Sequence, residues 1–78
     1  MKVQIGAHGK RKNVSVITYY SAGIGIGDAE KALLLACFGD CVPRHESEFD
    51  VVTYEVRNYD LASRVRALVA LGFTIEIR

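Results

Sequence analysis

Cys37, Cys41 and His45 stand four residues apart. On one continuous helix that spacing would bring two thiols and an imidazole along a single face, toward a metal ion. Cys41 and His45 alone could act as nucleophile and base. Gly39 and Pro43 fall inside the span, however, and should break such a helix. Tetrahedral zinc takes four ligands, and the fourth would have to be His8 or a carboxylate. No orienting residue or oxyanion motif accompanies the Cys–His pair. The expectation is that Cys37 is a small buried apolar residue, that Cys41 and His45 are loop residues, and that the chain holds no metal and no cofactor and is not an enzyme. A metal- or thiol-dependent small protein remains the third reading.

The segment Gly23-Ile24-Gly25-Ile26-Gly27-Asp28 follows a strand and opens a helix, the context of a dinucleotide fingerprint. The spacing does not match. Asp28 stands where the third glycine or alanine would fall from Gly25, and Glu30 where it would fall from Gly27. Their negative charge sits at the helix N-terminus that a phosphate would need. The segment reads as a connector that lets a helix pack on a sheet.

Charge offers two better candidates. Lys10, Arg11 and Lys12 are consecutive, beside His8, at the tip of an expected hairpin, where they can meet phosphate or an acidic protein surface. Glu46, Glu48 and Asp50, with Asp40 before them, make an acidic stretch interrupted by Arg44, suited to a basic surface. A basic and an acidic loop on a small rigid scaffold are what a binding module presents.

The elements that position these loops follow from residue periodicity. Val3, Ile5 and Ala7 alternate with Lys2, Gln4 and Gly6 as in a strand with one buried face. His8 to Asn13 reads as a turn, and Val14 to Tyr20 as a second strand rich in β-formers. After the connector Ser21–Gly27, Asp28 is expected to cap a helix over Ala29–Phe38, closed by Gly39 with a positive φ. Asp40 to Glu48 reads as irregular. Phe49–Arg57 is the third strand, with Val52, Tyr54 and Val56 inward. Asp60 is expected to cap a second helix, Leu61–Leu71, closed by Gly72. Phe73, Ile75 and Ile77 alternate with Thr74, Glu76 and Arg78 in a last strand.

The order β-β-α-β-α-β predicts an α/β (α+β) two-layer sandwich: a mixed four-stranded sheet with two helices on one face. Ferredoxin-like folds have a different order. The uncovered sheet face is expected to carry Gln4, Ser15, Ile17, Tyr19, Thr53, Glu55, Arg57, Thr74, Glu76 and Arg78. Ile17 and Tyr19 are its apolar members, so Tyr19 joins the candidate contact residues. A homodimer is carried as an expectation too, because so small a core gains from association.

Composition sets the outer bounds. The chain has 78 residues, half of them hydrophobic and 24% charged, so it reads as one domain, 1–78, and not as a disordered tail. Ten basic against nine acidic residues give a net charge of +1, which excludes a histone-like binder. Two cysteines are too few for a disulfide-rich secreted framework. The longest apolar run, Ala32 to Phe38, falls far short of the ~20 residues that span a bilayer. With no signal-peptide pattern at the start, the expectation is a cytoplasmic protein that does not enter membranes.

In size and in poverty of catalytic motifs the whole chain resembles small mobile-element proteins that block host defence, such as anti-CRISPR proteins. The resemblance implies a short, single-domain, cytoplasmic viral protein that acts as an inhibitor by occupying a surface of a nucleic-acid-handling complex. It rests on no diagnostic residue pattern, and no functional residue carries over from it. The functional expectation is a non-enzymatic protein-interaction module whose partner is a larger protein or a protein–nucleic-acid complex. It contacts that partner through Lys10, Arg11 and Lys12, then Glu46, Glu48 and Asp50, with Tyr19 on the sheet. The alternative is a small domain that binds nucleic acid directly through the basic tip.

Overall fold

A computed structural model of the chain describes residues 1–21, 26–41, 43–46 and 51–78, and for 44–46 the backbone alone. Among these residues the elements run β1 (Lys2–Ala7), β2 (Val14–Tyr20), α1 (Asp28–Phe38), β3 (Pro43–Glu46), β4 (Val51–Arg57), α2 (Asn58–Ala70) and β5 (Thr74–Ile77). The strands form one sheet in the order β3-β4-β2-β1-β5. All neighbouring pairs are antiparallel except β1 with β5. The mixed α+β sandwich expected from the order of elements is thus present. α2 carries the chain from β4 across β2 and β1 to β5, which runs parallel to β4 but at the far edge.

One sheet face holds the core. Val3 pairs with Tyr19, and Ile5 with Ile17. Tyr19 pairs in turn with Val52, and Ile17 with Tyr54. These residues cluster with Leu34, Cys37 and Phe38 of α1 and Leu68 of α2, so both helices cover the same face. Phe38 stacks on Tyr54, with ring centroids 4.3 Å apart and planes 10° apart.

This pairing overturns the expected orientation of β2. Ile17 and Tyr19 are 1% and 3% exposed and point into the core. Gln4, Val14, Val16, Thr18, Tyr20, Thr53 and Glu55 share the opposite face by strand parity. β2 is a central strand with β-branched or aromatic residues on both sides, so its own pattern does not say which side is inward. The pairing with β4, whose Val52, Tyr54 and Val56 are plainly inward, decides it. The apolar pair on which a sheet-face contact would rest is therefore inside the molecule. Tyr19 is no contact residue: its ring packs edge-on to Phe73 at 5.7 Å, and its hydroxyl donates to Glu30.

Local boundaries shift for identifiable reasons. Pro43–Glu46, read as irregular, adds a fifth strand at the edge of the four expected ones, with a register irregularity between Pro43 and His45. An edge strand tolerates proline, which has no N–H to give. Gly27, not Asp28, is the N-cap of α1, and Lys31 donates its N–H to the Gly27 carbonyl. α2 starts at Asn58, with Asp60 in its first turn, because the Asn58 N–H donates to the carbonyl of Asn13 straight after β4. Gly39 has φ −60°, so it supplies room rather than a left-handed bend: a Cβ there would lie 2.7 Å from the Leu35 carbonyl oxygen.

Gly72 does take the left-handed bend, at φ +93°. Its N–H donates to Val69 O, and the Phe73 N–H donates to Leu68 O, the paired bonds of a Schellman motif. Leu68 and Phe73 are both buried in the core at this closure. Gly72→Ala is expected to lower stability by about 1–2 kcal/mol, the cost of a Cβ in the left-handed region. Urea denaturation of the two proteins measures it.

Candidate docking site at the basic end of the sheet

The β1–β2 hairpin begins its turn where the His8 N–H donates to Val14 O at 3.1 Å, and closes it through Asn13 at φ +60°. Asparagine is among the few residues that sit readily in that region. Within the turn the His8 imidazole is the organiser. Its Nδ1 accepts the backbone N–H of Lys10 at 3.0 Å and of Arg11 at 2.9 Å. Its Nε2 lies 2.6 Å from Oε1 of Glu55 on β4, and Arg11 Nη1 lies 3.8 Å from the other Glu55 oxygen. The His8 side chain is only 6% exposed, while Lys10, Arg11 and Lys12 are exposed.

Sheet register adds two cations that are far away in sequence. Arg57 pairs with Val14, at the foot of the tip. Arg78 donates its N–H to Ile5 O, and its Cβ lies 3.6 Å from where a Cβ of Gly6 would be. Both are exposed. Lys10, Lys12, Arg57 and Arg78 make no ion pair among the described residues, and Arg11 shares Glu55 with His8. An open concavity of about 530 Å³, lined by the residues from Ala7 to Ser15 together with Asn58, lies at this end. Asn58 Oδ1 accepts the Ser15 hydroxyl at 2.6 Å, which ties α2 to the hairpin. This end of the molecule can hold an anionic surface. Periodicity alone did not bring Glu55, Arg57 and Arg78 to the tip beside His8; the signals that could have done so are the antiparallel register of β2 with β4 for the first two and the parallel register of β1 with β5 for Arg78.

The other candidate residues are not brought together here. Glu46 closes β3 opposite Val52, whereas Glu48 and Asp50 lie outside the described residues, as do Gly23 to Gly25 of the glycine-rich connector. α1 ends at Phe38, and His45 sits in β3 opposite Thr53, so the four-residue spacing of Cys37, Cys41 and His45 does not fall on one helical face. Among the described residues no three His, Cys, Asp or Glu side chains group as metal ligands would. Burial pushes both cysteine thiols upward, partly offset by the Arg64 cation. A cavity of about 160 Å³ between α1 and β4, lined mainly by Leu34, Phe38, Pro43, Val52 and Tyr54, is below the roughly 300–1,000 Å³ of small-molecule sites.

Arg64 of α2 fastens the end of α1. Its Nη1 donates to Cys37 O at 2.6 Å and to Asp40 Oδ1 at 2.7 Å, and its Nη2 to Asp40 Oδ2 at 2.6 Å. α1 has no basic residue in its last turn, so this guanidinium supplies the charge its C-terminus lacks. Arg64→Ala is expected to cost about 1.5–3 kcal/mol through the lost bond to the Cys37 carbonyl. The bond from Arg64 also holds the Asp40 carboxyl down at about 2, against an ordinary 3.8. A carboxylate depressed in the folded state stabilises above its unfolded value and loses that contribution as pH falls through the folded one. The parent should therefore lose stability between pH 3.8 and about 2, a slope that Arg64→Ala should lack. Urea midpoints across that window check both effects.

No family model, no curated protein and no solved structure matches the chain. Among the described residues no helix is long and apolar enough to cross a membrane.

Proposed function

We propose that this chain is a non-enzymatic interaction module that docks through the basic end of its sheet onto an acidic surface of a larger protein or protein–nucleic-acid complex in the cytoplasm. The observation that carries the reading is that Lys10, Arg11 and Lys12 line one concavity, with Arg57 paired to Val14 on its wall and Arg78 bonded beside Ile5 at the same end of the sheet, on a chain whose net charge is only +1. Localised charge of this kind steers encounter and sets orientation on an oppositely charged partner. In its most specific form the module is an inhibitor of a host-defence complex of the CRISPR-Cas type, acting by surface occlusion.

A second reading, direct binding of nucleic acid, is favoured by Arg57 and Arg78. They widen the tip from a point into a basic strip that could follow a phosphate backbone. Titrating the isotope-labelled chain with an oligoglutamate peptide and, separately, with a single-stranded oligonucleotide tests both readings. Amide shifts confined to residues 8–14, Arg57 and Arg78 are expected. Whichever probe causes them names the partner class. Shifts with neither probe, or shifts centred elsewhere, reject the docking site.

A further inference from the structure

The His8 ring holds the tip in one shape, and the way it does so has a protonation state built into it. A nitrogen that accepts two N–H groups carries no proton of its own. Nδ1 accepts from Lys10 and Arg11, so the ring proton is on Nε2, where it is donated to Glu55. This arrangement admits one tautomer, and the turn that the ring shapes encloses it.

We propose that His8 is the positioning residue of the docking site, and that taking up a proton at Nδ1 releases the basic tip. The proton comes from solvent onto the Nδ1 lone pair. The Lys10 and Arg11 N–H groups then face a donor instead of an acceptor, while the Nε2–H bond to Glu55 remains and gains charge. The two halves of the arrangement are pulled in opposite directions: the carboxylate keeps the ring, and the loop amides leave it.

The groups around the ring fit this account. Glu55 and Arg57 come from β4, and Lys10, Arg11 and Lys12 from the turn itself. β2 offers Val14 and Ser15, which carry no charge, and α2 offers Asn58, whose Oδ1 is taken by Ser15. Asp60 of α2 is turned to Arg64, 3.9 Å away. The inference deepens the docking reading by naming what keeps its tip in shape. It predicts that an anionic probe binds less well in acid, although the chain becomes more positive there.

The test needs no partner, so its failure is separable from failure of the docking reading. Nitrogen resonances of the ring and the amides of Lys10 and Arg11 are followed from about pH 8 to about pH 5. At the upper end Nε2 should carry the proton. On acidification the two amides should move with the ring along one curve, and their protection factors, which take out the slower intrinsic exchange in acid, should fall about tenfold, as the loss of one net hydrogen bond gives. His8→Asn places a carbonyl oxygen near the position of Nδ1, and should keep both amides protected at every pH. His8→Gln reaches toward Glu55 instead, and should leave them unprotected throughout. β2 and β4 amides report that each variant is folded. A proton on Nδ1 at the upper end, amides that ignore the ring, or failure of His8→Asn in a folded protein would each overturn the proposal.

Discussion

Phe38→Ala should cost about 3–5 kcal/mol, a quarter or more of the total stability of a chain this short. At ~0.05–0.15 kcal/mol per residue, a protein of this length has about 4–12 kcal/mol in total. Phe38 is 2% exposed, ends α1, and stacks on Tyr54 of β4. It thus joins the helix that reaches the least of the sheet to the strand next to the edge. Truncation removes the buried ring area and opens a cavity that neither element can close, because Leu34 and Cys37 are already packed beside it. Phe38→Leu keeps most of the volume and should lose far less. Leu35→Ala, one turn away but 68% exposed, should stay within about 0.5 kcal/mol. Urea unfolding of the three variants measures the ranking. Equal effects at Phe38 and Leu35 would mean that α1 packs by another face.

The largest expected functional effect belongs to the combined variant Lys10→Glu, Lys12→Glu and Arg57→Glu. None of the three side chains makes an ion pair among the described residues, and all are exposed, so the fold should be unaffected. Arg11 is left in place because it shares Glu55 with His8. Reversing three charges at the tip should abolish measurable affinity for an anionic probe. The same three reversals at Lys2, Lys31 and Arg66, away from the tip, change the net charge equally and should spare most of it. Fluorescence anisotropy with a labelled probe separates the two sets. If both sets weaken binding alike, overall charge is responsible rather than a site.

The fold and the docking site differ in how far residue order reveals them. β4, β5 and α2 are legible because their apolar residues repeat at one period and their ends carry glycine or a strand-to-helix change; α1 is placed by its ends, but its continuous apolar run Ala32 to Phe38 does not say which face is inward, and Leu34, Cys37 and Phe38 are buried while Leu35 is exposed. Gly72 closes α2 as expected and does so at φ +93°, whereas Gly39, where the positive φ is expected, closes α1 at φ −60°. β2 is not legible in the same way. Val14, Val16 and Thr18 suit a buried face as well as Ile17 and Tyr19 do, and the choice is made by strands distant in sequence. β3 is hidden by its proline and charges, which an edge position permits. The basic tip is visible because its three cations are consecutive. Its completion by Arg57 and Arg78, and its shaping by His8 and Glu55, depend on sheet register, which no local pattern carries.

The central claim is that a localised set of tip cations docks an anionic surface, and its most direct measurement is the salt dependence of probe binding. For the parent chain, the logarithm of affinity should fall linearly with the logarithm of salt concentration. The slope should shrink by about one for each of Lys10, Lys12 and Arg57 neutralised singly. Binding that ignores salt, or a slope unchanged when these three are removed, would contradict the account.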